Sequence, residues 1–223
     1  MLVLRSRRQS NECGSATYSI AVRCFRAESW MRKAENVPES DIDERFIFLW
    51  IAFNALYGQP KYLKRELGCE IYGRDEEMDI KKFLDAICEL DRRDQIHTKL
   101  KPLKQDIDEL TNDLFLNKKC WIEWHKRGLE SVAERVKRPF FAGKRGSGLT
   151  GLFQSLYVLR NQLFHGGSTE KGTKNREALK RAVGVLDILV RAFHDIAKEH
   201  VNDRRLIRLL GELPYPPSVG GVG

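Results

Sequence analysis

An all-α fold is what this 223-residue chain predicts, and three observations carry the prediction. Apolar residues recur at three- and four-residue spacing along most of the chain, the period of a helix with one buried face. No stretch alternates apolar and polar residues as a half-buried strand requires. Glycine, proline and small polar residues fall mainly between the periodic segments. A chain of this size can bury its own core, so one domain, or one with an insertion, is expected.

The first helix is expected from Ser15 to Glu35, with Ser15 as its N-cap and Pro38 just beyond its end, which leaves residues 1–14 as an N-terminal extension. The second runs from Asp41 to Tyr57. Ser40 with Asp43 resembles a capping box, and Gly58-Gln59-Pro60 closes the helix. It is apolar over most of its circumference, at Phe46, Ile47, Leu49, Trp50, Ile51, Phe53, Leu56 and Tyr57, so it belongs at the centre of a core or at an interface. Asn54 is its lone amide, either bonded to backbone or turned toward a functional site.

Residues 75–92 carry a stripe at Ile80, Phe83, Leu84, Ile87 and Leu90, behind an acidic first turn (Asp75, Glu76, Glu77) that suits the helix dipole. Residues 103–116 carry Leu103, Ile107, Leu110 and Leu114. Residues 120–137 carry Ile122, Leu129, Val132 and Val136, with Trp121 and Trp124 set among Lys118, Lys119, Lys126 and Arg127. These tryptophans either pack the core or stack bases. Narrow stripes with charged opposite faces predict a helical hairpin or small subbundle, inserted over 60–137 and projecting from the core.

A Gly-rich basic loop follows over 137–148, ending Lys144-Arg145-Gly146-Ser147-Gly148. It lacks the glycine, lysine and hydroxyl spacing of a nucleotide P-loop. Lys144 and Arg145 are candidate phosphate contacts, the other reading being a solvated linker. The next helix ends at Gly166-Gly167. Lys171, Lys174, Arg176, Lys180 and Arg181 add positive charge beyond it. A helix over 175–200 has Leu179, Val183, Leu186, Leu189, Val190, Phe193 and Ile196 on one side, with Asn175 as a cap, and a short helix over 203–211 precedes a flexible tail at 213–223.

The helix before Gly166 holds the residues that carry chemistry. Leu149, Leu152, Phe153, Leu156, Leu159 and Leu163 share one face, and Arg160 lies near its centre. A guanidinium cannot shed its proton to ease burial, so it needs a partner there. Burial in a salt bridge with an acidic residue such as Asp187 or Glu44 would favour a structural role for Arg160, and opening to a cleft lined by positive charge would favour a catalytic one. His165 stands where the helix must stop, since glycine readily takes the left-handed conformation that ends helices. An unwinding chain there can swing the histidine ring back toward Arg160.

Net charge is +8 and the isoelectric point about 9.3, which favours an acidic partner, nucleic acid foremost. No apolar run is long enough to span a bilayer, and the apolar stretch at Met1-Leu2-Val3-Leu4 is too short for a signal peptide. The five cysteines, Cys13, Cys24, Cys69, Cys88 and Cys120, are odd in number, scattered, and not at zinc-like spacing. Reduced thiols in a cytoplasmic protein with no metal site and no cofactor fit this pattern.

Arg160-Asn161-x-x-x-His165 resembles the Arg-x4-6-His signature of HEPN domains, where the residue after arginine is commonly small and polar. The helix containing Trp50-x-x-Phe53-Asn54 looks like the first long helix of the Apea-like branch of that superfamily, and the order of the two helices agrees. The resemblance covers residues 15–57 and 148–200. It implies a single HEPN-like helical bundle over 15–212, with a core of 15–57 and 148–200 and the insertion between them. The implied activity is metal-independent endonucleolytic cleavage of RNA by a homodimer in which two Arg/His sets face one cleft. Members serve as toxins or in antiviral defence, some held by an antitoxin that modifies a tyrosine two residues after the histidine. Here that residue is Gly167, so this form of control does not transfer, while another regulatory protein stays open.

The residues support this chemistry in their own right. RNA brings its own nucleophile, the 2′-hydroxyl. His165 supplies an imidazole, the side chain most used to move protons. Arg160 offers a permanent cation with a bidentate fork for phosphate charge. Asn161 can orient the histidine or the phosphate. Two other classes stay open: a catalytically silent HEPN-like module that binds nucleotide or RNA or dimerises, and a helical adaptor that docks a protein through the 75–137 segment.

Overall fold

The computed structural model describes residues 2–58, 76–117, 145–165, 172 and 175–210, with side chains from Ser19 onward in the first helix and from Gly148 onward in the helix that carries Arg160. These residues are mostly helical and include no strand, which establishes the all-α class. In chain order the helices are α1 (Leu2–Glu35), α2 (Ile42–Tyr57), α3 (Glu76–Leu90), α4 (Gln95–Leu100), α5 (Lys104–Asn112), α6 (Arg145–Phe164), α7 (Arg176–Glu199) and α8 (Arg204–Leu210), with short 3-10 turns at Lys101–Leu103 and Leu114–Leu116.

Several boundaries differ from the sequence expectation, each for a local reason. α1 begins at Leu2, so Ser15 lies inside it and caps nothing. The interior Gly14 costs a helix only about 1 kcal/mol, which does not compel a break. Asp41, not Ser40, occupies the N-cap of α2, and no side chain caps that end. Asp43 is drawn off to an ion pair with Arg176 of α7. The 103–116 segment divides because Asp113 takes an extended conformation and its carboxylate accepts the Phe115 N–H. α4 was hidden between the periodic stripes. The buried Asp91 carboxylate starts it by accepting the N–H groups of Gln95 (2.8 Å) and Ile96 (3.0 Å). Asn175 caps α7 with backbone only, in the left-handed region at φ 61°.

One hydrophobic core joins all of these elements. Its centre is Phe53 of α2, whose ring meets Tyr57, Phe83 of α3, Phe153 of α6 and Phe193 of α7. α1 and α2 form an antiparallel hairpin, and α7 lies along both while also covering α4 and α5. α6 packs on α3, α5 and the second 3-10 turn. Ile80, Phe83, Leu84, Ile87, Ile107 and Leu110 are therefore part of the central core. The expectation of a projecting subbundle is corrected for its described part, residues 76–117: those stripes are narrow because they close the main core from one side. The 120–137 helix, with Trp121 and Trp124, lies outside the described residues.

Candidate functional site

The apolar stripe of α6 is buried as its spacing required: Leu149, Leu152, Phe153, Leu156 and Leu159 are at most 2% exposed. That register carries Arg160 to the rim of the core, where its side chain keeps 20% exposure. Its guanidinium carbon lies 5.1 Å from the centroid of Phe164, 5.5 Å from Tyr157 and 6.0 Å from Trp50. Tyr157 and Phe164 stand three residues before and four after Arg160, the spacing that shares a helix face. Trp50 comes from α2 and is fully buried. A weakly hydrated, planar cation is stabilised by such ring faces.

The partner of Arg160 is Glu76, not the expected Asp187 or Glu44. Asp187 pairs with Arg191 along α7, and Glu44 is exposed on α2. Glu76 is the first residue of α3, where its charge also suits the helix dipole, the only role its sequence position announced. Tyr57 donates its hydroxyl to Glu76 Oε1 (2.9 Å), and Tyr157 donates to Oε2 (2.8 Å). With both oxygens engaged by phenols, Arg160 Nη1 stays 3.8 Å from Oε2, an ion pair without a direct hydrogen bond. Burial and the hydrogen bond to this carboxylate push the Tyr157 hydroxyl up to about 12.

Arg160 Nη1 instead donates to Asn161 Oδ1 at 2.9 Å. Nε is buried with no hydrogen-bond partner, and Nη2 makes no hydrogen bond among the described residues. The Nε and Nη2 edge is the side of the fork with which a guanidinium grips phosphate or carboxylate in bidentate fashion.

His165 is exposed, and its backbone N–H donates to the Asn161 carbonyl at 3.0 Å. The helix ends at Phe164, so His165 stands just past its last residue, as its glycines led one to expect, while its backbone bond still follows the helical pattern. The register leaves its Cβ about 140° around the axis from that of Arg160. Asn161 bridges the two: it holds Arg160 through Oδ1 and stands four residues before His165, on the histidine's side of the helix. With its carbonyl oxygen facing the guanidinium, the amide nitrogen is left as a donor.

Of the other candidates, Asn54 is not brought to Arg160 by any hydrogen bond among the described residues. Its Oδ1 is buried without a partner, and its backbone carbonyl receives Gly58 N–H at 2.7 Å. Lys144 lies outside the described residues. Arg145 opens α6, so the basic loop ends earlier than its glycines suggested. Arg176 and Arg181, expected as free positive charge beyond His165, are committed to Asp43 and to Asp106 and Glu109. Sequence reasoning missed Glu76, Tyr57, Tyr157 and Phe164. Phe164 is 48% exposed, and only its position between the arginine and the histidine could have drawn attention to it.

Among the described residues, no three or more His, Cys, Asp or Glu side chains gather as metal ligands, and no helix is long and apolar enough to cross a membrane. Compared with family models, curated proteins and solved structures, the chain matches none.

Proposed function

We propose that this chain is a metal-independent endoribonuclease of HEPN type, acting as a homodimer. The observation that carries the reading is the partly exposed Arg160 guanidinium, held by ring faces and by Asn161 with Nε left unpartnered, at a helix end that also presents an exposed His165. His165 takes the proton of the RNA 2′-hydroxyl, and the 2′-oxygen attacks the adjacent phosphorus. The bond from phosphorus to the 5′-oxygen breaks, the leaving oxygen takes up a proton, and a 2′,3′-cyclic phosphate and a 5′-hydroxyl result. Arg160 stabilises the charge that builds on the phosphoryl oxygens. One histidine at this helix end cannot be base and acid in the same step. Pairing two chains across the α6 ends supplies the second histidine, and it also lets the arginine of one chain serve with the histidine of the other.

The Glu76 ion pair favours a second reading, a non-catalytic module that binds RNA or dimerises through the same helix end. A carboxylate 3.8 Å from the guanidinium already answers part of its charge.

The test is cleavage of a total RNA pool in EDTA by wild type, Arg160→Ala and His165→Ala. The enzyme reading expects wild-type cleavage that survives EDTA and falls by at least about 100-fold in either variant, since general acid–base catalysis alone contributes 10²–10⁴-fold. A folded, dimeric wild type that leaves the RNA intact would move the assignment to the binding module. Equal cleavage by all three would place the activity elsewhere.

A further inference from the structure

We infer that Phe164 is a base-stacking residue, holding the nucleobase next to the phosphate that Arg160 receives. The inference rests on the RNA reading of this site and adds to it a named contact with the base. Phe164 is the last residue of α6, placed between Arg160 and His165. The Arg160 guanidinium lies over its ring at 5.1 Å, while 48% of the residue stays open to solvent. A cation stands directly behind the ring and a titratable histidine beside it, so an anionic partner that also carries a flat apolar surface is the complement. A nucleotide has both parts: its base can lie on the exposed Phe164 ring while its phosphate pairs with the partly exposed Arg160 guanidinium.

A second exposed phenylalanine lies near the same helix end. Phe115, in the 3-10 turn at Leu114–Leu116, is 44% exposed, and its carbonyl accepts from Gln162 at 3.5 Å, two residues before Phe164. Gln162 is steadied in turn by Asn175 of the α7 cap, whose amide donates to it at 2.8 Å. Phe115 thus lies near the Gln162 side of the same helix end. Bases paired in a duplex have their faces occupied by neighbours, so this contact requires an unpaired nucleotide at the bound position.

The experiment uses the full chain and a fluorescein-labelled RNA whose 2′-hydroxyls are all O-methylated, which removes the nucleophile and leaves stacking intact. Binding is read by anisotropy at several salt concentrations, for the single strand and for its duplex. The wild type is compared with Phe164→Ala, Phe164→Leu and Phe164→Trp. The expected result is single-strand binding weakened by about 5- to 100-fold in the alanine variant, the range that losing one stacked base implies. Leucine should not restore it and tryptophan should. The salt dependence should be unchanged, because no phosphate contact is lost. Single-strand affinity in Phe164→Ala equal to wild type, or full rescue by leucine, would overturn the inference. A loss that tracks dissociation of the dimer in sedimentation would also overturn it and make the ring an interface between copies. Failure of the stacking idea alone would show as a wild type that binds and cleaves while Phe164→Ala does both equally well. Failure of the RNA reading beneath it would show as a wild type that neither binds nor cleaves.

Discussion

At the scale of single residues, the most constrained position is Arg23, which is 1% exposed in α1. Its guanidinium donates to the carbonyl of Gly58, where α2 ends, and to that of Leu210 at the end of α8 (2.9 Å). Helix ends leave carbonyls without partners and carry partial negative charge, so one buried cation satisfies two of them. Burial, with a smaller contribution from Arg26, lowers its pKa to about 10, still high enough to keep it charged at neutral pH. The neighbouring Cys24 is also buried, and burial pushes its thiol up to about 11, against the pull of Lys198 and Arg23. An unfolded thiol titrates near 9.0. Between about pH 9 and 11 the unfolded chain releases a proton that the folded chain retains, so stability falls as pH rises through that window and is indifferent to this group below it. Urea denaturation of wild type and Cys24→Ala from about pH 7 to pH 11 should give a steeper alkaline loss for wild type. Parallel profiles would mean that the thiol titrates normally in the fold.

At the scale of elements, Glu76 is where α2, α3 and α6 are tied together. Two phenols, one from α2 and one from α6, end on the first carboxylate of α3. Hydrogen bonds to a charged group contribute about 1.5–3 kcal/mol each, and partial exposure of Glu76 places this pair at the lower end. Glu76→Ala should therefore destabilise the protein by about 3 kcal/mol, and Glu76→Gln by less, since an amide oxygen still accepts. Combining Glu76→Ala with Tyr157→Phe in a double-mutant cycle should show a coupling of about 1 kcal/mol. Lys81 on the same helix pairs with Asp85 in the open, and Lys81→Ala should cost no more than about 0.5 kcal/mol. Chemical denaturation of the set checks both statements, and equal losses for Glu76→Ala and Lys81→Ala would show that the network does not brace the three helices. Gly58 makes a different element-scale contribution. A Cβ there would stand 2.5 Å from the Asn54 carbonyl oxygen, so the tight end of α2, and with it the carbonyl offered to Arg23, requires glycine.

At the scale of the whole molecule, the register of α6 bears on how the proposed nuclease site would be assembled. A continuing helical register would set Arg160 and His165 about 140° apart around the axis. If two chains share a cleft, one chain can contribute the arginine and its partner the histidine. Arg160→Ala and His165→Ala, each inactive alone, should then recover RNA cleavage when mixed and allowed to exchange subunits. The recovered rate should rise with the amount of heterodimer measured by sedimentation or native mass spectrometry. No recovery in a mixture shown to contain heterodimer would mean that both side chains must come from the same chain.

The sequence by itself determined the helical class, the buried faces of α2, α3, α6 and α7, and the placement of Arg160 on a core-facing stripe. Each of these follows from local periodicity, which depends only on residues three and four apart. It also marked Asn161 and His165, because a polar group at a helix end is visible as a break in pattern. Only the tertiary structure decided what answers Arg160. Glu76 is 84 positions away along the chain, and no spacing rule links it to Arg160 or to the two tyrosines. The same holds for Arg23, whose apolar neighbours gave no hint of two helix ends converging on it. Nor did local pattern show that residues 76–117 close the main core, since a narrow stripe suits a separate hairpin and a covering helix equally. Helix faces are written in short-range spacing; the partners of buried charges are fixed by which distant helices packing brings together.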